Sequence, residues 1–150
     1  VNAGQSVGEW RSRNVGTPVT VARGAAQHYA GAQWQLTALT RLRDAAPGTI
    51  VVVAEFDATV EDPEPLQKGI CKVVLTDDKG RRWQPAFITS RVVRQGRPQA
   101  DSKARCGTLM RAGKGNAVAM AEAFIIPESA TGLAFTVTVA TAWPDYLVFR

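Results

Sequence analysis

The sequence predicts an all-β protein, an antiparallel β-sandwich with Greek-key connections. Three observations carry this. Apolar and polar residues alternate with a period of two in several separate stretches, the mark of strands with one buried face. Glycine, proline, aspartate and asparagine punctuate the chain at spacings of about ten to fifteen residues, as in sandwiches and barrels. Helical periodicity is nearly absent: the one arguable helix, Ala119 to Phe124, is short and runs into Pro127.

Residues 1–16, VNAGQSVGEWRSRNVG, are polar and glycine-rich and read as a flexible tether, with Trp10 able to dock on a domain expected over 17–150. A first strand follows at 17-TPVTVAR-23, then a loop at 24-GAAQHYAGAQ-33. The stretch 34-WQLTALTRL-42 alternates until its phase slips near Leu39 to Leu42, which predicts a bulge or burial on both sides. Ala45-Ala46-Pro47-Gly48 reads as a turn. The run 49-TIVVVAEFDATV-60 is β-branched and long. It reads as a central strand with Ala54, Phe56, Ala58 and Val60 in the core and Glu55, Asp57 and Thr59 in water. Two prolines exclude 61-EDPEPLQKG-69 from a central strand, and it reads as a loop or an edge crossing.

The stretch 70-ICKVVLTDDKGRRWQPA-86 reads as a hairpin whose turn is Asp77-Asp78-Lys79-Gly80 and whose return strand stops at Pro85. Arg81 and Arg82 are then the flank of a turn. Phe87, Ile88, Val92 and Val93 predict a short strand before a polar loop, RQGRPQADSK. Residues 104–120 read as loop with a short strand around Cys106. Strands are expected at 119-AMAEAFIIP-127, 133-LAFTVTVATA-142 and 146-YLVFR-150, with a turn at 128–132.

At 150 residues, 45% hydrophobic and 21% charged, the chain matches one globular domain. Its longest apolar run, Ile50 to Ala54, is far too short to span a bilayer. Val1 in place of Met leads us to expect that an upstream leader or membrane anchor has been removed. Net charge is +5 and uneven. Six acids and no base lie between Asp44 and Glu64, whereas ten bases and the single acid Asp101 lie between Lys79 and Lys114. Either the two stretches neighbour each other and partly cancel, or Arg91, Arg94, Arg97, Lys103, Arg105, Arg111 and Lys114 form an anion-binding face. Their arginine-rich makeup suits bidentate contacts to phosphate or carboxylate.

Cys71 and Cys106 lie 35 residues apart, form no CxxC and leave His28 as the sole histidine, which removes the usual zinc constellations. A structural disulfide in an oxidising compartment is the preferred reading; two separate buried thiols or one reactive cysteine are the alternatives. His28 has no G-x-S-x-G elbow to serve. Asp57, Glu61, Asp62 and Glu64 match no calcium loop and read as a solvated acidic segment. Gly113-Lys114-Gly115 lacks the rest of a phosphate loop. The tryptophans Trp10, Trp34, Trp83 and Trp143 read as core and rim. Trp143-Pro144, just before the last strand, is the candidate partner contact.

The order WQLTAL, GTIVVVAEFDATV, CKVVLTDDKGRRW and AFIIPESATGLAFTVTV resembles the bacterial extracytoplasmic immunoglobulin-like domains of secreted mycobacterial antigens and uncharacterised lipoproteins. The matching residues are Leu75, Asp77, Gly80 and Trp83, then Phe124, Ile126 and Pro127, within Thr17 to Thr141. The resemblance implies a tethered sandwich outside the cytoplasm and carries over no catalytic residue. The expected function is a non-enzymatic extracytoplasmic binding module of the cell envelope, with a structural ectodomain of a membrane-anchored assembly as the alternative and a hydrolase ranked below both. The expected partner is a protein or an anionic envelope component. Nucleic acid, cofactor and metal are not expected, and membrane contact only through an upstream anchor.

Overall fold

The computed structural model describes residues 16–43, 46–87 and 90–150. The expected tether up to Val15, Trp10 and Ile88 lie outside the described residues. Among those described, nine strands form two sheets: β1 (Thr17–Val21), β2 (Ala26–Tyr29), β3 (Ala32–Arg43), β4 (Thr49–Val60), β5 (Cys71–Thr76), β6 (Arg82–Trp83), β7 (Ala117–Pro127), β8 (Ala134–Val139) and β9 (Asp145–Phe149). One sheet runs β1-β9-β8-β5-β6 and the other β2-β3-β4-β7. All pairings are antiparallel except β1 with β9, which is parallel. The chain is a β-sandwich, as its alternation predicts.

The inner faces meet in a core whose aromatic spine crosses between the sheets. Trp34 stacks on Phe56, Phe56 meets Phe135 at 4.8 Å between ring centres, and Phe135 touches Phe124 and Phe149. Leu36, Leu75, Val73, Met120, Val137 and Leu147 fill the space around them. Tyr29 ties one end together: its hydroxyl accepts from Val139 N–H at 2.9 Å and donates to Asp145 O at 2.8 Å.

Four segments depart from the sequence reading. The stretch 24–33 contains β2, which pairs with β3 through a two-residue turn. Ala30 and Gly31 both have positive φ there, at 50° and 80°, the twist that short hairpins require. Gly31 also lies against Asp62, whose carbonyl leaves no room for a Cβ. Second, a single helical turn, α1 (Glu64–Lys68), stands where 61–69 reads as loop. Pro65 fits its first turn because that position needs no N–H. The phase slip in β3 is a bulge, found between Leu36 and Ala38.

Third, the strand and loop expected over 86–103 are instead two short helices, α2 (Ser90–Gly96) and α3 (Pro98–Asp101). Pro98 separates them, since the residue before a proline avoids helical angles; Arg97 sits at φ −146° and ψ 66°. Val93 and Ala100 are their buried residues, packed on Val51, Val53, Ala121 and Ala123 of the sheet's outer face. So β4 is covered on both faces where the reading left one in water. Burial of Val51 and Val53 contributes about 2 kcal/mol each. Gly96 permits this layer, since a Cβ there would stand 2.8 Å from Leu42. Fourth, the strand expected around Cys106 is a 3-10 turn, Cys106–Arg111. A second 3-10 turn, Ala140–Ala142, ends β8 early.

Candidate functional site

The segment carrying the predicted basic face wraps around the edge of β7. Ala104 lies along that edge: it donates to Ala119 O, and Ala121 donates back to its carbonyl. Before Ala104 the chain is on the outer face of the sheet; after it, on the inner side. A glutamate waits on each. On β4, Glu55 is 2% exposed and takes Arg97 Nε at 2.6 Å and Lys103 Nζ at 3.1 Å. Burial alone would raise this carboxyl, but the hydrogen bonds and charges of Arg97 and Lys103 outweigh it and hold its pKa below the ordinary value. On β7, buried Glu122 accepts from Arg105 Nη1 at 3.2 Å and from the Cys106 N–H at 2.9 Å.

Cys106 is bonded to Cys71 of β5, with Cα atoms 5.5 Å apart. The bridge therefore ties the 3-10 turn that follows the β7 edge to β5 of the opposite sheet, in line with the preferred reading of the two cysteines. A buried disulfide is the mark of a non-cytoplasmic compartment. Among the described residues no helix is long and apolar enough to cross a membrane.

The basic stretch thus divides. Arg97, Lys103 and Arg105 hold the wrapped segment down, so the partial cancellation of acidic and basic stretches is real at Glu55. Arg94 stands 3.9 Å from Asp101. Arg91, Arg111 and Lys114 are exposed with no ion pair among the described residues. The hairpin arginine Arg81 is structural too. Asp77, buried at the turn, accepts the Lys79 and Arg81 N–H groups and pairs with Arg81 Nε at 2.7 Å. Burial acts to raise its pKa, and the Arg81 contacts bring it below the ordinary value.

Trp143 is 43% exposed and stacks on Tyr146, with ring planes 16° apart. Pro144 O accepts the Thr17 N–H at 2.7 Å, so this dipeptide also braces the start of β1. His28 lies on β2 rather than in a loop and meets Glu61 Oε1 at 2.6 Å on the surface. Of the other acids of that region, Asp62 accepts the Glu64 N–H and Glu64 pairs with Lys68. Among the described residues no three metal-binding side chains converge.

Two features were invisible to a reading of local patterns. One is a groove of about 440 Å³ beside the disulfide, lined by Cys71 to Val74, Gln84, Pro85, Phe87, Arg105, Gly107 and Glu122. Phe87 is 84% exposed. Asp77 donates its N–H to Arg81 O across the hairpin, and backbone polarity alternates along a strand, so Leu75 and Val73 turn theirs the same way. Pairing with β6 stops at Leu75–Trp83; continued, it would set Pro85, which has no N–H, against Val73. Among the described residues no strand pairs with Val73 on that side of β5. The other feature is a wider cleft at Arg23, Arg41 and Arg150.

No protein-family model and no curated protein matches the chain. Solved structures do. A conserved hypothetical protein from Bacillus anthracis superposes with a TM-score of 0.51 at 12% identity, over 81% of this chain and 91% of that one. An uncharacterised β-sandwich protein from Clostridium difficile 630 gives 0.51 at 5% identity, over 89% and 94%. At these identities what is shared is the fold, a β-sandwich found in uncharacterised bacterial proteins.

Proposed function

We propose that this chain is a non-enzymatic, immunoglobulin-like interaction module of the cell envelope, held there by an upstream segment, and that it takes an extended segment of a partner protein along β5. The observation that carries this is the groove beside β5, where pairing with β6 stops at Leu75–Trp83 and exposed Phe87 stands at the rim. An added strand would complete the hydrogen bonds that Pro85 leaves unmade, the usual logic of strand addition. Lys72 lines the same groove, where the charges of Arg105 and Glu122 offset each other, and favours an acidic segment over a basic one. The immunoglobulin-like part is supported by strand order: β5-β8-β9 faces β3-β4-β7, the neighbour relations of that sandwich type. The extracytoplasmic part is supported by the disulfide.

The test is selection of extended peptides from a displayed library, followed by affinity measurement on Phe87→Asp and on wild type. Peptides that use the groove lose at least about tenfold on the variant and give backbone contacts to Val73 by NMR. Peptides that bind both forms equally would sink the proposal. If their affinity instead falls steeply with salt, the exposed cations Arg91, Arg111 and Lys114 become the interface. A purely structural ectodomain would select no peptide at β5.

A further inference from the structure

Three strand ends that are remote in sequence bring Arg23, Arg41 and Arg150 to one cleft of about 680 Å³. Arg23 follows β1, Arg41 lies near the end of β3, and Arg150 follows β9. Leu39, Thr40, Gly132 and Leu133 complete the lining. Two of the guanidinium groups are positioned by the protein itself. Arg23 Nη2 donates to Leu133 O at 2.9 Å and Arg41 Nη2 to Ala130 O at 2.7 Å. Each guanidinium has five N–H donors, so most of theirs stay available.

No side-chain carboxylate lines the cleft, and none of the three arginines forms an ion pair among the described residues. Asp78, which packs on Gly132, is engaged by the Thr131 hydroxyl at 2.7 Å. Asp78 keeps its charge beside Gly132 but pairs with none of the three; three like charges with no side-chain carboxylate paired to them among the described residues repel one another, and an anion placed among them relieves that repulsion. Planar guanidinium groups favour oxyanions that present two oxygens to each fork. A space of this size accepts a small organic molecule, and Leu39 and Leu133 offer it an apolar wall.

We infer that this cleft binds a small phosphate-bearing ligand, with the dianionic phosphate among Arg23, Arg41 and Arg150 and its substituent against Leu39 and Leu133. The site is separate from the β5 groove: they have no lining residue in common. It also lies outside the basic stretch that local charge density singles out.

Phenyl phosphate and inorganic phosphate are the probes, titrated at low salt and followed by calorimetry and backbone NMR. Saturable binding is expected, tighter for phenyl phosphate, with shifts confined to residues 39–41, 132–133 and their neighbours. Arg150→Gln is the safest variant, since its side chain holds no other group among the described residues, and it weakens binding about tenfold. Arg41→Lys keeps the charge but loses the fork, and weakens it less. Sedimentation with phosphatidic acid vesicles, against phosphatidylcholine vesicles, identifies the source. Vesicle binding displaced by phenyl phosphate and lost in Arg150→Gln assigns the site to a lipid headgroup; phenyl phosphate binding without vesicle binding assigns it to a free phosphate compound. The inference is overturned if no saturation is reached by about 10 mM, the weak end of small-ligand affinity. It is overturned equally if Arg150→Gln binds as wild type, or if the shifts map to residues 91–114.

Discussion

Replacing both Cys71 and Cys106 with alanine tests how the turn after the β7 edge is held to the opposite sheet. The bridge closes a loop of 35 residues. Loop-closure entropy then puts its contribution at about 4 kcal/mol, through restriction of the unfolded chain. The native state should survive the change. The Cys106 N–H still reaches Glu122, Arg105 still pairs with it, and Ala104 still lies along β7. Both sulfurs are buried, so alanine adds a small packing loss in the same direction. For a domain of this size the midpoint of thermal unfolding falls by about 10 °C, and the urea midpoint by about 2 M. The urea slope rises, because the released chain exposes more surface on unfolding. Tryptophan fluorescence in urea measures both quantities, and alkylation without reductant confirms that wild type carries no free thiol. A loss below about 1 kcal/mol with an unchanged slope would refute the reasoning, as it would show that the bridge restricts little of the unfolded ensemble.

Two further perturbations follow from the same structure. Glu55→Gln leaves Arg97 and Lys103 without their carboxylate; because both cations are partly solvated, the expected loss is about 2 kcal/mol by urea unfolding at neutral pH. Since the folded pKa of Glu55 lies below its ordinary 4.5, its contribution is complete above that pH and is lost as pH falls through the lowered folded value. Wild type should therefore lose stability more steeply than the variant below about pH 4.5, and parallel acid curves would contradict the assignment. Gly31→Ala places a Cβ against the Asp62 carbonyl at a positive φ, and should cost about 2 kcal/mol or more. A melting temperature equal to wild type would mean the β2–β3 turn relaxes freely.

Much of the architecture is local and therefore legible. The alternation in β3, β4, β5 and β8 comes from the two-residue period of a strand, which needs no knowledge of partners. The same holds for the hairpin turn at Asp77 to Gly80. Where the sequence misleads, the cause is non-local. In β4, alternation separates Glu55, Asp57 and Thr59 from the core side correctly, but it cannot tell water from a helical cover. The signal for that cover was the unbroken run Val51-Val52-Val53, with apolar residues on both faces. Helices α2 and α3 escape notice because their buried face is little more than Val93 and Ala100, with Gly96 and Pro98 between. Strand β2 buries only Tyr29, too little to show a period.

The candidate sites divide along the same line. The sequence alone determined the strand grammar and the charge asymmetry, because each depends on residue type and spacing; it made Cys71–Cys106 the preferred pair, and the tertiary structure placed them together. Tertiary structure alone decided which cations are committed. Glu55 and Glu122, on opposite faces of one sheet, take Arg97, Lys103 and Arg105 out of the basic stretch. It alone also gathers Arg23, Arg41 and Arg150, whose strands meet only when the sheets close. Charge acts through distance in space, and a one-dimensional pattern records distance only along the chain.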